Sequence, residues 1–266
     1  MPLNSILLVG CGNMAGAMLE GWLSGGADRA RFTIVDPVRE NAPGGIFVSR
    51  TLPEAGDFDA ILLGIKPQGL VSAAPDIERL AGPGTTVLSL LAGVELESLQ
   101  NHFPRASASV RVMPNLAVAL GKAPVALAET GLDEAGRAAI FALMQPLGTP
   151  QWIGEDKMDL VTALAGSGPA FVYRFIDALG NGAVRLGLAE SQARELALAM
   201  VEGAAALAAR SEHSPGKLAD MVASKGGVTR EGLDVLDQEE ALNRLIFDTL
   251  RAARDRSAEL AHETRG

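Results

Sequence analysis

The chain has 266 residues, of which 48% are hydrophobic and 4% aromatic, and its formal net charge is −9. This composition is too apolar for a disordered chain, and the acidic charge disfavours nucleic acid as a partner because phosphate backbones are also negative. Cys11 is the only cysteine, so no intramolecular disulfide can form, which is typical of a reducing compartment. No basic residue precedes the first apolar run, and Arg174 and Asp177 interrupt the apolar stretch Leu160–Leu179. We therefore expect a cytoplasmic protein with no secretory signal and no membrane span.

The first half of the chain alternates between short apolar runs and segments of helical spacing. The runs typical of strands are Ile6–Gly10, Phe32–Asp36, Ile46–Ser49, Ala60–Ile65, Thr85–Leu90, Ser107–Val112 and Thr149–Ile153. The helical segments are Asn13–Leu23, Gln68–Leu80, Glu95–His102 and Asp133–Leu147, the last with Asp133 as its expected N-cap. Such alternation is typical of a parallel sheet covered by helices on both faces. We predict an α/β domain of the Rossmann type, doubly wound and mostly parallel, over residues 1–155.

The second half of the chain, residues 156–266, shows no strand pattern and is expected to be all-α. The predicted helices are Asp159–Leu188, Ser191–Arg210, Pro215–Ala223 and Glu239–His262. Ser214 followed by Pro215 is a helix start signal, a capping hydroxyl before proline at the first helical position. The stretch Ala204–Ala209 is almost pure alanine, and a small helical unit of this kind gains by packing against a copy of itself. A homodimer through this half is the prediction; the alternative is that it folds back on the first domain only.

A glycine-rich segment follows the first predicted strand and opens the first predicted helix. Gly10-Cys11-Gly12-Asn13-Met14-Ala15 matches the dinucleotide-binding fingerprint, with alanine in the permitted third position. The first glycine makes a tight turn, the second lets backbone approach a pyrophosphate, and the helix N-terminus supplies N–H groups. Asp36 ends the second predicted strand, where an acidic residue accepts from a ribose hydroxyl. The motif and its context favour a dinucleotide site over a merely structural glycine turn.

The polar side chains of the sequence narrow the kind of hydride chemistry. The only tyrosine is Tyr173, and the position four residues later is Asp177, so the Tyr-x-x-x-Lys pair of many carbonyl reductases is absent. None of the three histidines, His102, His213 and His262, follows a predicted strand. Reduction of a ketone needs a proton donor for the developing alkoxide, whereas an imine can arrive already protonated. A site poor in acids and bases is therefore better suited to an imine.

Three further segments contain residues suited to a site. Lys66-Pro67-Gln68 falls at the end of the fourth predicted strand, where Lys66 either contacts a cofactor or is simply solvated. Ala165–Ala170 interrupts a helical pattern with two glycines and a proline, which also fits a packing kink. Ser224–Thr229 contains two adjacent glycines, whose N–H groups can converge on an anion such as a carboxylate, or form an ordinary turn. The spacing alone leaves these alternatives open, and no metal site is indicated.

Taken together, these residues resemble the pyrroline-5-carboxylate reductase family. The matching segments occur in family order and cover nearly the whole chain: Gly10–Ala15, Lys66–Gln68, Arg111-Val112-Met113-Pro114-Asn115, Ala163–Ala170 and Ser224–Thr229. The resemblance implies a Rossmann domain followed by a helical dimerisation domain, and often a ring of dimers. It also implies reduction of 1-pyrroline-5-carboxylate to L-proline with NADPH or NADH.

The resemblance also implies roles for individual residues of this chain. Thr229 would face the ring nitrogen as the catalytic residue, beside a substrate carboxylate held by Ser224, Gly226, Gly227 and Val228. Other residues expected near the substrate are Ala165, Gly166, Ser167 and Gly168. Residues expected to bind the cofactor are Gly10, Gly12, Asn13, Met14, Ala15, Asp36, Lys66, Pro67, Met113, Pro114 and Asn115, the last three beside the nicotinamide.

Two departures from the family pattern leave room for other functions. The family usually has proline where this chain has Lys225, and Thr-Pro where it has Leu116-Ala117. A paralogue acting on another small cyclic imine is therefore one alternative. A 3-hydroxyacid dehydrogenase is a weaker one, since no lysine lies between Lys157 and Lys217 to serve as its catalytic residue. A non-catalytic, nucleotide-sensing dimer is the third.

Overall fold

The computed structural model describes residues 3–263; residues 1–2 and 264–266, the outer ends of the two predicted domains, lie outside the described residues. The chain forms two compact units. Unit 1 extends to Ser167 and also includes the chain from Ala253 onward, and unit 2 is Gly168–Ala252. The last strand of unit 1 ends at Trp152, and the domain boundary after residue 155 stays a prediction.

Unit 1 is built on one eight-stranded sheet. Its strands are β1 Ile6–Val9, β2 Phe32–Val35, β3 Val48–Ser49, β4 Ala60–Leu63, β5 Thr86–Ser89, β6 Ala108–Met113, β7 Ala123–Thr130 and β8 Gly148–Trp152. The order is β3-β2-β1-β4-β5-β6-β7-β8, and every neighbouring pair is parallel except the antiparallel β6 and β7. The strand order reverses between β1 and β4, which is where doubly wound sheets bind their ligands. The predicted Rossmann architecture is confirmed.

One strand of the sheet, β7, has no counterpart in the sequence-based prediction. Its residues, Ala-Pro-Val-Ala-Leu-Ala-Glu-Thr, include three alanines and a proline, which are depleted in strands. Pro124 is tolerated because it lies in the part of β7 that pairs with β8, beyond the segment paired with β6. The N–H that proline lacks is therefore not needed for the β6 ladder. Burial on both faces, rather than local preference, determines this strand.

The core of unit 1 lies on both faces of the sheet. Ile6 and Leu8 of β1 point into one cluster with α1 (Asn13–Ser24) and α4 (Glu134–Met144), and Leu7 and Val9 point into the other, with α2 (Leu70–Glu78) and α3 (Leu96–His102). This alternation explains why the central strands are continuous apolar runs.

The two helix N-caps predicted from the sequence are confirmed. Asp133 accepts from the Gly136 N–H at 2.7 Å at the start of α4, and Ser214 accepts from the Lys217 N–H at 3.3 Å in unit 2.

The helices that follow the sheet differ from the sequence-based prediction at one important place. The predicted helix Asp159–Leu188 is interrupted near the glycines and proline that indicated a kink: α5 (Met158–Val161) runs into a π-helical turn, Thr162–Gly166, before α6 (Gly168–Arg185) begins. The glycines and proline of this segment weaken the regular ladder of hydrogen bonds. The remaining helices are α7 Glu190–Ala208, α8 Pro215–Val222, α9 Val228–Asp237 and α10 Ala241–Glu263, of which α9 was not predicted.

Unit 2 has almost no core of its own. Its buried residues are Gly180 of α6 and Ala193 and Ala197 of α7, small residues that let these two helices approach closely. Many large apolar side chains of the unit are exposed, among them Tyr173, Leu186, Leu196, Leu207, Val235, Leu245 and Phe247. A surface of this kind marks an interaction site.

Candidate active site

The loop after β1 has the geometry of a phosphate cradle. Gly10 has φ +87°, and a Cβ atom there would stand 2.8 Å from the carbonyl carbon of Gly64, so β1 and β4 approach through glycine backbone. Gly12 is the N-cap of α1, and a Cβ atom there would meet nothing within 4 Å. The predicted strand–turn–helix arrangement of the glycine motif is confirmed.

The first turn of α1 leaves hydrogen-bond donors open beside that empty space. The Gly16 N–H bonds back to the Gly12 carbonyl at 2.8 Å, whereas the N–H groups of Asn13, Met14 and Ala15 have no acceptor among the described residues. A helix N-terminus with free N–H groups and no capping side chain favours an anion. A dinucleotide pyrophosphate fits this donor set and this space.

Asp36 lies directly after β2 and is tied to the glycine loop. One carboxylate oxygen accepts from the Cys11 N–H at 2.8 Å, and the other accepts from the N–H groups of Val38 and Arg39, both at 2.9 Å. Partial burial by itself raises the pKa of Asp36, but these three hydrogen bonds and the charge of Arg39 lower that pKa below its ordinary value. Asp36 is therefore ionised and holds the loop in place, in addition to any contact with a ribose.

Arg39 brings a positive charge to the same loop. Its Nη1 atom donates to the Cys11 carbonyl and, at 3.4 Å, to the Gly12 carbonyl, and its Nε donates to the Asn41 carbonyl at 2.7 Å. Burial raises the pKa of the Cys11 thiol, which the Arg39 charge only partly offsets. Cys11 is thus a neutral, buried filler of the turn, and Arg39 is a guanidinium beside the expected position of the adenosine ribose.

Lys66 and Pro67 follow β4 at the edge of the sheet that carries the glycine loop. The Gly64 N–H donates to the Val9 carbonyl at 2.8 Å, which continues the pairing of β4 with β1 as far as this edge. Lys66 is exposed, and its ammonium group has no partner among the described residues. The structure places Lys66 and Pro67 near the cradle, and their contact with a cofactor stays a prediction.

Two predicted segments of unit 1 are brought into contact. Asn115, just beyond β6, donates from Nδ2 to the Ala165 carbonyl at 2.9 Å, and a Cβ atom at Gly166 would lie 3.7 Å from the Met113 sulfur. The segment Met113–Asn115 therefore packs on the π-helical turn. The sequence motifs indicated each segment separately, and the fold joins them.

The segment Ser224–Thr229 belongs to unit 2 and leads into α9, which begins at Val228. Gly226 has φ +68°, and the Gly227 N–H donates to the Ser224 carbonyl at 2.9 Å, which closes a turn. The expectation that the Gly227 N–H points at a ligand therefore needs correction, because that donor is occupied. The N–H groups of Val228 and Thr229, in the first turn of α9, have no acceptor among the described residues, nor does the exposed Thr229 hydroxyl have a partner there.

An ion pair that sequence reasoning missed supports the β6 end. Arg111, 6% exposed on β6, donates from Nη1 to the Glu155 carboxylate at 3.1 Å, and the same oxygen accepts from the Leu96 N–H at 2.7 Å. The signal was an arginine inside a run typical of a buried strand, because a buried guanidinium requires an acidic partner. This contact fixes the strand from which Met113–Asn115 emerges to the start of α3.

Comparison with known proteins shows to which family the chain belongs. It is 31% identical over 274 residues to pyrroline-5-carboxylate reductase 2 of Bacillus subtilis, covering 99% of this chain and 98% of the relative. It is 34% identical over 238 residues to pyrroline-5-carboxylate reductase of Aquifex aeolicus, covering 87% and 88%. The chain belongs to the pyrroline-5-carboxylate reductase family. Residues 155–260 also match the profile described as pyrroline-5-carboxylate reductase dimerisation.

Solved structures agree with this family assignment. The pyrroline-5-carboxylate reductase of Coxiella burnetii superposes with a TM-score of 0.89 at 27% identity, covering 98% of this chain and 99% of the other. A Plasmodium falciparum relative solved with NADP bound has a TM-score of 0.79 at 21% identity, covering 98% and 99%, and supports the fold.

Within the described residues, no helix combines the length and apolarity that a bilayer crossing requires.

Proposed function

We propose that the protein reduces 1-pyrroline-5-carboxylate to L-proline with a hydride from NAD(P)H, the last step of proline synthesis. The observation that carries this proposal is the open cradle at Gly12, where N–H groups of α1 find no acceptor within residues 3–263, in a chain of the pyrroline-5-carboxylate reductase family. The donors and the space suit a pyrophosphate, and the family supplies the substrate.

The cofactor would be bound by unit 1. Gly10, Gly12 and the first-turn residues Asn13, Met14 and Ala15 would hold the pyrophosphate, with Asp36 and Arg39 at the adenosine ribose. Lys66 and Pro67 would lie along the cofactor, and the segment Met113–Asn115 beside the nicotinamide. When bound, the reduced nicotinamide supplies a hydride.

The substrate carboxylate would be bound by the loop before α9. Two N–H groups at this helix start, those of Val228 and Thr229, are open to an anion, and the helix dipole favours negative charge there. The turn closed by the Gly227 N–H and the Ser224 carbonyl shapes the loop, and the left-handed Gly226 permits it. We therefore assign the carboxylate to the Val228 and Thr229 N–H groups, with Ser224 and the glycines as the supporting turn.

The reaction requires little acid–base catalysis by side chains of the protein. Hydride adds to the carbon of the protonated C=N bond, the π electrons become the nitrogen lone pair, and the product is a secondary amine. The Thr229 hydroxyl would accept from or donate to the ring nitrogen and so orient the ring. The small residues Ala165, Gly166, Ser167 and Gly168 would leave room for the ring.

Both cofactors are expected to be used. The Asp36 carboxylate can accept from the 2′-hydroxyl of NADH, since each of its oxygens has more than one lone pair. The Arg39 guanidinium can turn from the Cys11 and Gly12 carbonyls toward the 2′-phosphate of NADPH. Opposite charges at one site thus allow either ligand.

The protein would act in the cytoplasm as a homodimer formed through residues 159–266, with a ring of dimers as a larger assembly. The support is the matched dimerisation profile and a unit 2 that exposes large apolar side chains from several of its helices. Burying such a surface is the ordinary driving force of a stable dimer.

The test is an assay of NADPH and NADH oxidation with 1-pyrroline-5-carboxylate and with cyclic imines of other ring size. We expect the five-membered substrate to be turned over most efficiently. Higher efficiency with a six-membered imine would instead identify a paralogue. The exposed Leu116 and Lys225, which depart from the family pattern, would then contribute to the altered substrate preference. Cofactor binding without turnover of any imine would identify a non-catalytic sensor and end the proposal.

A further inference from the structure

A missing hydrogen-bond donor in the π-helical turn is replaced by a side chain from another part of the chain. In a regular helix the Ala165 carbonyl would accept from the N–H of residue 169, but that residue is Pro169 and has none. The Asn115 Nδ2 atom donates to the Ala165 carbonyl instead, at 2.9 Å and away from solvent. Because a buried carbonyl without a donor is costly, this bond stabilises the interrupted helix.

The other end of the Asn115 amide is engaged as well. Its Oδ1 atom accepts from the Ala117 N–H at 3.0 Å and so caps the short 3-10 segment Leu116–Leu120. Asn115 is 7% exposed, so the whole side chain lies inside unit 1. One amide therefore joins the segment after β6 to the turn that carries Ala165 and Gly166, and only a side chain with both a donor and an acceptor can do this.

We infer that Asn115 is a positioning residue for the reaction: it fixes the π-helical turn Thr162–Gly166 against Met113–Asn115 and does not act as a ligand of the cofactor. This inference rests on the proposed function, which places the first segment beside the substrate and the second beside the nicotinamide. Hydride transfer depends steeply on the alignment of donor and acceptor carbons, so a shift of the turn lowers turnover without altering cofactor binding.

The first test replaces the amide by its nearest acidic counterpart. Asn115→Asp keeps an oxygen to cap the Ala117 N–H but loses the donor and sets a carboxylate against the Ala165 carbonyl. We expect kcat/KM for the imine to fall about tenfold or more, while the Kd for NADPH, measured by its fluorescence, changes less than about twofold. Asn101→Asp, at an exposed amide on α3, is the matched control and should leave both quantities unchanged.

The second test restores the missing donor. Pro169→Ala returns to position 169 the N–H that would bond the Ala165 carbonyl in a regular helix, so we expect that carbonyl to depend less on Asn115. In that background, Asn115→Asp should cost at most about threefold in kcat/KM, and the two substitutions should also be non-additive in urea unfolding. Non-additivity in both measurements would show that Asn115 acts through the turn.

Several outcomes would overturn the inference. A loss of NADPH affinity that parallels the loss of turnover would make Asn115 a cofactor ligand, and unchanged turnover would leave it without a role in the reaction. Additive effects of Asn115→Asp and Pro169→Ala would remove the link to Ala165. If the wild-type protein reduces no cyclic imine, the proposed function fails, and the urea cycle alone decides whether the bond holds the turn.

Discussion

Units 1 and 2 of this protein solve the problem of burying apolar surface in opposite ways. Unit 1 encloses a sheet between helices, and its central strand β1 is buried on both faces. Unit 2 buries only Gly180, Ala193 and Ala197 and leaves Leu207 and Phe247 exposed. A helical unit that buries so few side chains gains little stability from its own contacts. We therefore expect unit 1 to be stabilised mainly by its own core and unit 2 to depend on a partner surface, for which a second copy is the natural source.

The largest expected effect comes from placing a charge on the exposed apolar surface of unit 2. Phe247→Asp should abolish the dimer and lower the free energy of unfolding by about 3 kcal/mol or more per protomer, because the ring is exposed on the protomer and we expect the second copy to bury it. Sedimentation and urea unfolding measure the two effects. Phe47→Asp, at an exposed phenylalanine of unit 1, should change neither. A dimer that survives Phe247→Asp would place the interface elsewhere. A stable, active monomer would contradict the expectation that unit 2 depends on a partner surface.

The second prediction concerns Thr229, whose hydroxyl has no partner within the described chain. Thr229→Val keeps the shape of the side chain, so stability should not change. The loss of one transition-state hydrogen bond should cost about 2–4 kcal/mol, seen as a fall in kcat/KM of about two orders of magnitude with cofactor affinity nearly unchanged. Thr249→Val, which removes a hydroxyl bonded to the Leu245 carbonyl, is the control and should retain activity. Near wild-type turnover would reduce Thr229 to a surface residue.

The third prediction separates two glycines of the cradle. Gly10→Ala forces a left-handed residue against the Gly64 backbone and should destabilise unit 1 by about 1–3 kcal/mol. In Gly12→Ala the added Cβ atom would have no protein atom within 4 Å, so the free energy of unfolding should stay close to that of the wild type. The Kd of this variant for NADPH and NADH should rise, because the Cβ atom occupies the space expected for the cofactor. Equal effects of the two substitutions on both measurements would mean that the space at Gly12 is not the cofactor site.

A smaller effect is expected at the ribose. Asp36→Ser removes the charge that opposes a 2′-phosphate, so the ratio of kcat/KM for NADPH to that for NADH should rise. Asp59→Ser is the control, because Asp59 likewise accepts backbone N–H groups, those of Asn4 and Ser5, but precedes β4 at the opposite edge of the sheet. If the ratio does not move in Asp36→Ser, the carboxylate only holds the loop.

The smallest expected effect is the pH dependence of that same contact. The folded-state pKa of Asp36 is depressed, so its ionisation contributes stability above the ordinary aspartate pKa and loses that contribution as pH falls through the folded value. The difference in urea unfolding between wild type and Asp36→Ser should therefore shrink on going from neutral pH to acid. A difference that is constant across that range would contradict this assignment.

Local structure could be predicted from the sequence where one feature, such as an apolar run or a capping side chain, dominated. Continuous apolar runs identified the central parallel strands, and side-chain oxygens at Asp133 and Ser214 identified two helix starts. It failed at β7, whose alanines carry no local strand preference, and it indicated a kink near Pro169 without indicating that the kink is a π-helical turn. Both were decided by neighbours that the local pattern does not contain.

The candidate site divides in the same way. The amino-acid sequence was enough to indicate which residues can serve: glycines where backbone must come close, an acid after β2, and hydroxyl and glycine residues in the segment Ser224–Thr229. Which of their groups are free depends on the folded chain. It joined Asn115 to Ala165, paired Asp36 and Arg39 with the loop at Cys11, and used the Gly227 N–H to close a turn, leaving Val228 and Thr229 open. The reason is that residue type sets how many hydrogen bonds a group can form, whereas only the folded chain determines which partners are within reach.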